Sequence, residues 1–212
     1  MIREAVYLDY LNSLLDGDKA ACIRIVDNLL EEGEEVKLIY TDLFQKTMYR
    51  IGHLWEKNKA SVADEHIASQ ITNYLINYIY PKISVTKKNG KKAIIACVDK
   101  EFHELGPRMV SDFFELNGWD SIFLGSSTPN SDVLKMIRDK KPEVVGLSNN
   151  FYINISRLWK LIDDIQAEFP DQKIIVGGQA LCIDGSEPHK KFENVTYLPS
   201  LDALEEYIKN YV

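Results

Sequence analysis

A histidine with an acid two residues before it and a glycine three residues after it can act as an oriented metal ligand. The segment Glu101-Phe102-His103-Glu104-Leu105-Gly106 has that spacing. The Glu101 carboxylate can accept the proton of one imidazole nitrogen and leave the other for a metal. Gly106 lets a bulky group approach the backbone. The segment follows the apolar run KKAIIACV, which reads as a buried strand. His103 therefore falls where open α/β sheets bind ligands, beyond the carboxyl ends of the strands. A histidine in a strand-to-helix loop can equally be a cap or a surface residue, so the rest of the chain has to decide.

Four other clusters could share the work. Ser148, Asn149 and Asn150 end a second apolar run, and small hydroxyl and amide side chains there can hydrogen-bond a buried heterocycle or cap the next helix. Gly177 and Gly178 end a third run, where paired glycines admit a flat ligand or make a tight turn. Gly125 to Pro129, reading G-S-S-T-P, offers amides and hydroxyls to a polar tail. Far upstream, Trp55 is followed after nine residues by Glu65-His66, which puts an indole, a carboxylate and an imidazole at one corner of a helical region.

The elements that must position these residues fall into two sets. Residues 1–86 carry a helical period, with apolar positions at Leu8, Leu11, Leu14 and Leu15, then Ala20, Ile23, Val26 and Leu30. A long third stretch follows from Val36 to Trp55, and a fourth runs through Ile67, Ile71, Leu75 and Ile79. Ser61 with Asp64 three residues on reads as a capping box that opens the fourth helix. Four helices with short connections make a small antiparallel bundle. From residue 91 the period changes. Strand-like runs at 92–98, 120–124, 143–148, 173–177 and 194–198 alternate with helical stretches at 105–117, 131–140, 154–168 and 201–211, and a weaker one near 187–193. That alternation predicts an α/β domain over 91–212, a flavodoxin-like five-stranded parallel sheet of order 2-1-3-4-5. In that order the first strand flanks the switch point, and His103 follows it.

Taken in order, these pieces resemble cobalamin-binding domains, in which an Asp-x-His-x-x-Gly loop follows the first strand, a Ser-x-Leu or Ser-x-Thr element the third and Gly-Gly the fourth. Glu101 stands where that family has Asp, and Asn150 where it has Leu or Thr. The resemblance implies that His103 binds cobalt from the lower face, oriented by Glu101. It further implies that Gly106, Ser148, Asn150, Gly177 and Gly178 surround a cobalamin whose dimethylbenzimidazole base is detached from cobalt and inserted beside the sheet. The Trp55, Glu65, His66 spacing resembles the bundle of light-sensing cobalamin regulators, where such residues stand over the upper face and the adenosyl group. Glu56 departs from that pattern, because the best-known sensors carry histidine after the tryptophan.

The resemblance thus points to a cobalamin-binding sensor, light-responsive through adenosylcobalamin and signalling through a protein partner or a homo-oligomer. The alternative is a corrinoid protein that carries methyl groups for a methyltransferase system, with methylcobalamin as its form of the cofactor. Neither role makes the chain an enzyme by itself. A phosphoryl receiver needs acids after the third strand, where Ser-Asn-Asn stands, and a nicotinamide site needs G-x-G-x-x-G after the first strand.

Bulk properties set the remaining bounds. The 212 residues are 45% hydrophobic and 27% charged, ordinary for a globular protein. A net charge of −7 argues against direct nucleic-acid binding. No apolar stretch reaches the roughly 18 residues of a membrane span. Three separated cysteines and an acidic, amphipathic N-terminus fit reduced thiols in a cytoplasmic protein.

Overall fold

The structure is a computed structural model that describes residues 1–83, 87–184 and 192–211. The chain divides into two compact units, Met1–Val85 and Thr86–Val212.

The first unit is helical. Helix α1 (Glu4–Leu15) leads into α2 (Lys19–Glu31), which is started by Asp18, whose side chain accepts from the Ala21 N–H at 2.9 Å. The long third stretch is unbroken but irregular, with α3 (Val36–Leu38), a π segment (Ile39–Gln45) and α4 (Lys46–Glu56) in series. Helix α5 (Val62–Ile83) opens with the expected reciprocal cap. The Ser61 Oγ accepts from the Asp64 N–H at 3.1 Å, and the Asp64 carboxylate accepts from the Ser61 N–H at 2.7 Å. Both α1 and α4 pack against α5, and α1 also packs against α2.

The buried stripes differ in phase from those expected. In α1 the core takes Tyr7, Tyr10, Leu11 and Leu14, an i, i+3, i+4, i+7 set, while Leu8 is exposed. In α2 it takes Cys22, Val26 and Leu29 instead of Ala20, Ile23 and Leu30. Aromatic rings carry the difference, with Tyr10 and Tyr40 both near Phe44 at centroid distances of 5.9 and 5.7 Å. Large rings bury more apolar area than a leucine and so claim the inner face.

The second unit is the expected parallel sheet. Strands β1 (Lys92–Cys97), β2 (Asp120–Phe123), β3 (Val144–Ser148), β4 (Lys173–Gly177) and β5 (Val195–Tyr197) lie in the order β2-β1-β3-β4-β5. Helix α6 (Leu105–Leu116) packs on β1, β2 and β3. Helices α7 (Asn130–Lys140) and α8 (Ile155–Glu168) contribute Val133, Ile137, Leu158, Leu161, Ile162 and Ile165 to a core shared with Ala96, Val145, Leu147 and Val176 of the strands. A short α9 (Gln179–Asp184) follows β4, and α10 (Leu201–Lys209) packs on α6. Helix α9 was not expected from sequence, and the helix expected near 187–193 lies mostly outside the described residues.

Each buried isoleucine or valine in the strands contributes about 1.5–3 kcal/mol, so this sheet is a rigid base for irregular loops. Register then aligns the site. Cys97 of β1 pairs with Ser148 of β3, and Ser148 pairs with Gly177 of β4. The three strand ends finish level, and the loops carrying His103, Asn149 and Gly178 leave from one line.

Candidate corrinoid site at the carboxyl edge of the sheet

The chain leaves β1 through a tight turn. The Glu101 N–H donates to the Val98 carbonyl at 3.0 Å, with Lys100 in the left-handed region at φ 65°. The turn is tied down on both sides. The Lys100 N–H donates to Ser127 Oγ at 3.1 Å, Asn154 Nδ2 donates to the Lys100 carbonyl at 3.2 Å, and Arg157 pairs with Asp99 at 2.6 Å.

This turn buries Glu101 completely. Its Oε1 accepts from His103 Nδ1 at 2.7 Å and from the His103 N–H at 3.0 Å. Its Oε2 accepts from the N–H groups of Asn150 and Phe151, both at 2.9 Å. Burial pushes the Glu101 pKa up, but the hydrogen bonds, from the His103 ring first, outweigh it and hold the carboxyl at about 2. An ionised carboxylate can only accept, so the shared proton sits on Nδ1 and the ring atom that could bind a metal is Nε2. The longer Glu101 in place of Asp therefore reaches His103 and also bridges the loops after β1 and β3.

Around this pair the ring of Phe151 meets His103 edge-on, with centroids 4.6 Å apart at 80°. Cys97 lies behind, its Sγ 3.7 Å from the His103 carbonyl. Burial, with the charges of Glu101 and Glu104, pushes the Cys97 pKa up to about 12, so it stays a thiol and does not compete as a ligand. Phe102, Phe151, Tyr152 and Ile153 are exposed apolar residues on the same two loops. Sequence reading had passed over Phe151 and its neighbours, because an F-Y-I run after a strand looks like ordinary core.

The other expected residues divide by what they touch. A Cβ placed on Gly106 meets nothing within 4 Å, so the chain itself makes no demand for glycine there. Gly178 is the opposite case. At φ 106° its added Cβ would lie 2.2 Å from the Asn149 carbonyl oxygen, so this glycine is required by the protein's own backbone. Gly177 approaches the Leu198 carbonyl, with 3.4 Å from an added Cβ. Ser148 is buried, and its carbonyl accepts from the Val98 N–H at 3.2 Å. The Asn150 Oδ1 accepts from the Gln179 N–H at 3.1 Å, so this side chain is spent on starting α9. Asn149 is fully buried, and neither its Oδ1 nor its Nδ2 has a partner among the described residues.

In the helical unit, Trp55 lies in the last turn of α4 and is 43% exposed, so it is not a core residue. Glu65 accepts from Ser69 Oγ at 2.7 Å and lies 3.8 Å from His66 Nε2. Among the described residues, no hydrogen bond, ion pair or ring contact joins Trp55 to Glu65 or His66.

Also among the described residues, no group of three or more His, Cys, Asp or Glu could hold a metal ion. One oriented histidine can serve only a metal that arrives with its other ligands in place, as in a macrocycle. Residues 7–80 match one B12 binding domain family and residues 91–194 match a second. Both halves of this chain are B12 binding domains. Monomethylamine corrinoid protein 1 of Methanosarcina mazei is 21% identical over 174 residues, spanning 79% of this chain and 80% of that protein. Its counterpart in Methanosarcina acetivorans is 22% identical over the same shares. The solved monomethylamine corrinoid protein of Methanosarcina barkeri superposes with a TM-score of 0.84 at 16% identity, over 98% of this chain and 99% of that one. A methanol:cobalamin methyltransferase complex from Methanosarcina barkeri gives 0.52 at 14% identity, over 100% and 82%. At these identities the solved structures establish the fold, a helical unit followed by the 2-1-3-4-5 sheet.

The residues present fit the B12 group. His103 would hold the metal through a ring nitrogen oriented by an anionic partner, Gly106 has open space beside its Cα, and the buried Asn149 amide has no partner among the described residues. No helix among the described residues is long and apolar enough to cross a membrane.

Proposed function

We propose that the protein carries methyl groups on cobalamin for a methyltransferase system, with His103 Nε2 as the lower axial ligand. The buried Glu101 carboxylate held on His103 Nδ1 at 2.7 Å carries the cobalamin part of this reading, and the corrinoid relatives carry the methyl-carrier part. Bound B12 supplies a cobalt that can accept a methyl group from one protein and release it to another. The chain's own part is to orient and to tune. Glu101 keeps the proton on Nδ1 and makes the ring a stronger donor through Nε2. The amides of Asn150 and Phe151 keep Glu101 ionised, and Gly106 leaves room for the ring system.

The relatives named above favour the carrier over the light sensor that Trp55, Glu65 and His66 suggested. Three are named for monomethylamine and one for methanol, so the substrate class proposed here is a small methylated amine or alcohol. The partner proposed is the methyltransferase that delivers or removes the methyl group. Binding of methylcobalamin should give a histidine-ligated absorption spectrum, and His103→Ala should lose it while keeping its circular dichroism. An unchanged spectrum in the variant would remove His103 from the cobalt. Failure of the loaded protein to accept methyl from any methyltransferase–substrate pair of this class would remove the carrier role.

A further inference from the structure

The side chain of Asn149 has no internal explanation among the described residues. Its main chain is locked, since its N–H donates to the Gly177 carbonyl at 3.1 Å and its carbonyl accepts from the Ala180 N–H at 3.4 Å. The backbone of Gly178 also packs directly against it. Yet its side-chain amide is fully buried, with donor and acceptor both unmet among the described residues. A buried polar group without a partner is costly and rare, and in a ligand crevice it marks a contact that the ligand completes. The next two residues donate to Glu101, so this amide sits one residue from the grip on the metal-binding histidine.

Cobalt in a corrin has a single lower axial position. If His103 occupies it, the nucleotide base of the cofactor's tail must leave cobalt, and the ring nitrogen it frees then needs a donor. We propose that Asn149 reads this base, and that it selects a base presenting an amino group beside a ring nitrogen, such as adenine, over dimethylbenzimidazole. A carboxamide pairs with such an edge through two hydrogen bonds, Nδ2 donating and Oδ1 accepting. Dimethylbenzimidazole offers only an acceptor and leaves Oδ1 unmet. A site built for a donor rejects a ligand lacking it more strongly than an apolar site rejects an extra methyl. The inference rests on the B12 reading and adds a tail specificity to it.

The test titrates the whole protein with three methylated probes: the adenine-tailed cobamide, cobalamin and the tail-less cobinamide. Wild type should bind the adenine-tailed form at least about tenfold more tightly than cobalamin, the value of one added hydrogen bond. Adenine also leaves cobalt more readily than dimethylbenzimidazole, so the decisive quantity is how the ratio changes on mutation. Asn149→Leu should bring the ratio down at least severalfold without lowering the melting midpoint of the apoprotein. Asn149→Asp, which keeps the shape and loses the donor, should also weaken the adenine-tailed form and guards against a Leu variant that does not fold. A wild-type ratio near one, an unchanged ratio in both variants or a lower melting midpoint in both overturns the proposal. Equal binding of cobinamide and both tailed forms overturns it while leaving the B12 reading intact. Failure of all three to bind overturns the B12 reading itself.

Discussion

Four N–H groups from two loops about fifty residues apart in sequence converge on one carboxylate, that of Glu101. Replacing it by Gln keeps the shape but sets an NH2 group against these donors, and it removes the charge that fixes the His103 tautomer. Cobalamin retention should fall about 10–100-fold in Glu101→Gln, as measured by equilibrium dialysis. Glu101→Asp keeps the charge and loses reach, so it should fall less. The same carboxylate sets an acid limit. Its folded pKa of about 2 lies below the ordinary 4.5, so its stabilisation is complete above pH about 4.5 and is lost as pH falls toward about 2. Apoprotein stability should therefore drop on the order of 3 kcal/mol across that window, and Glu101→Gln should lack this slope in urea titrations. Equal acid slopes in the two proteins would mean that the group is not ionised in the folded state.

At the scale of elements, two glycines in the same crevice make opposite demands. Gly178→Ala forces a Cβ against the Asn149 backbone at positive φ, and should cost at least about 2–3 kcal/mol in apoprotein stability. Gly106→Val meets no packed neighbour in the first turn of α6 and is strained only against the adjoining Pro107, so apoprotein stability should fall far less than in Gly178→Ala while cobalamin affinity falls at least about tenfold. A Gly106→Val protein that binds normally would show that no ligand approaches there. Sequence made the glycines visible but not this difference, because only the fold brings residue 178 onto residue 149. The strand runs, their order and the Ser61–Asp64 cap were legible since each is a local pattern of period or spacing. Two features were not. The phase of α1 is set by aromatic packing across the bundle, and the burial of Asn149 by a turn thirty residues away. Likewise the place of Asn150 in a motif does not reveal that its Oδ1 accepts from the Gln179 N–H at the start of α9, an element too short to leave a periodic trace.

The whole molecule joins a helical B12 binding domain to an α/β one in a single chain. The carrier and sensor readings agree on the sheet and part over the helical unit. If Trp55 serves a sensor, wild type should prefer adenosylcobalamin to methylcobalamin and Trp55→Ala should erase the preference. For the carrier proposed here, a competition titration should show the two forms bound within a few-fold and little change in Trp55→Ala. A strong, Trp55-dependent adenosyl preference would return the sensor to the lead.

If His103 holds cobalt as proposed, its having no cluster of further ligands among the described residues also bears on how the protein survives a cell full of competing ions. Sites assembled from side chains face the general affinity order, in which copper and zinc displace weaker metals. Among the described residues no such cluster stands at this edge, so a free divalent ion should find too few ligands there to be held. Element choice is delegated to whatever machinery inserted cobalt into the corrin. Zinc, nickel or copper salts should thus leave the apoprotein unloaded after dialysis, and a chelator should not strip the loaded protein. Stoichiometric zinc at His103 by elemental analysis would show otherwise. On the proposed reading, the protein's exposure is to scarcity of one finished molecule and not to mismetallation.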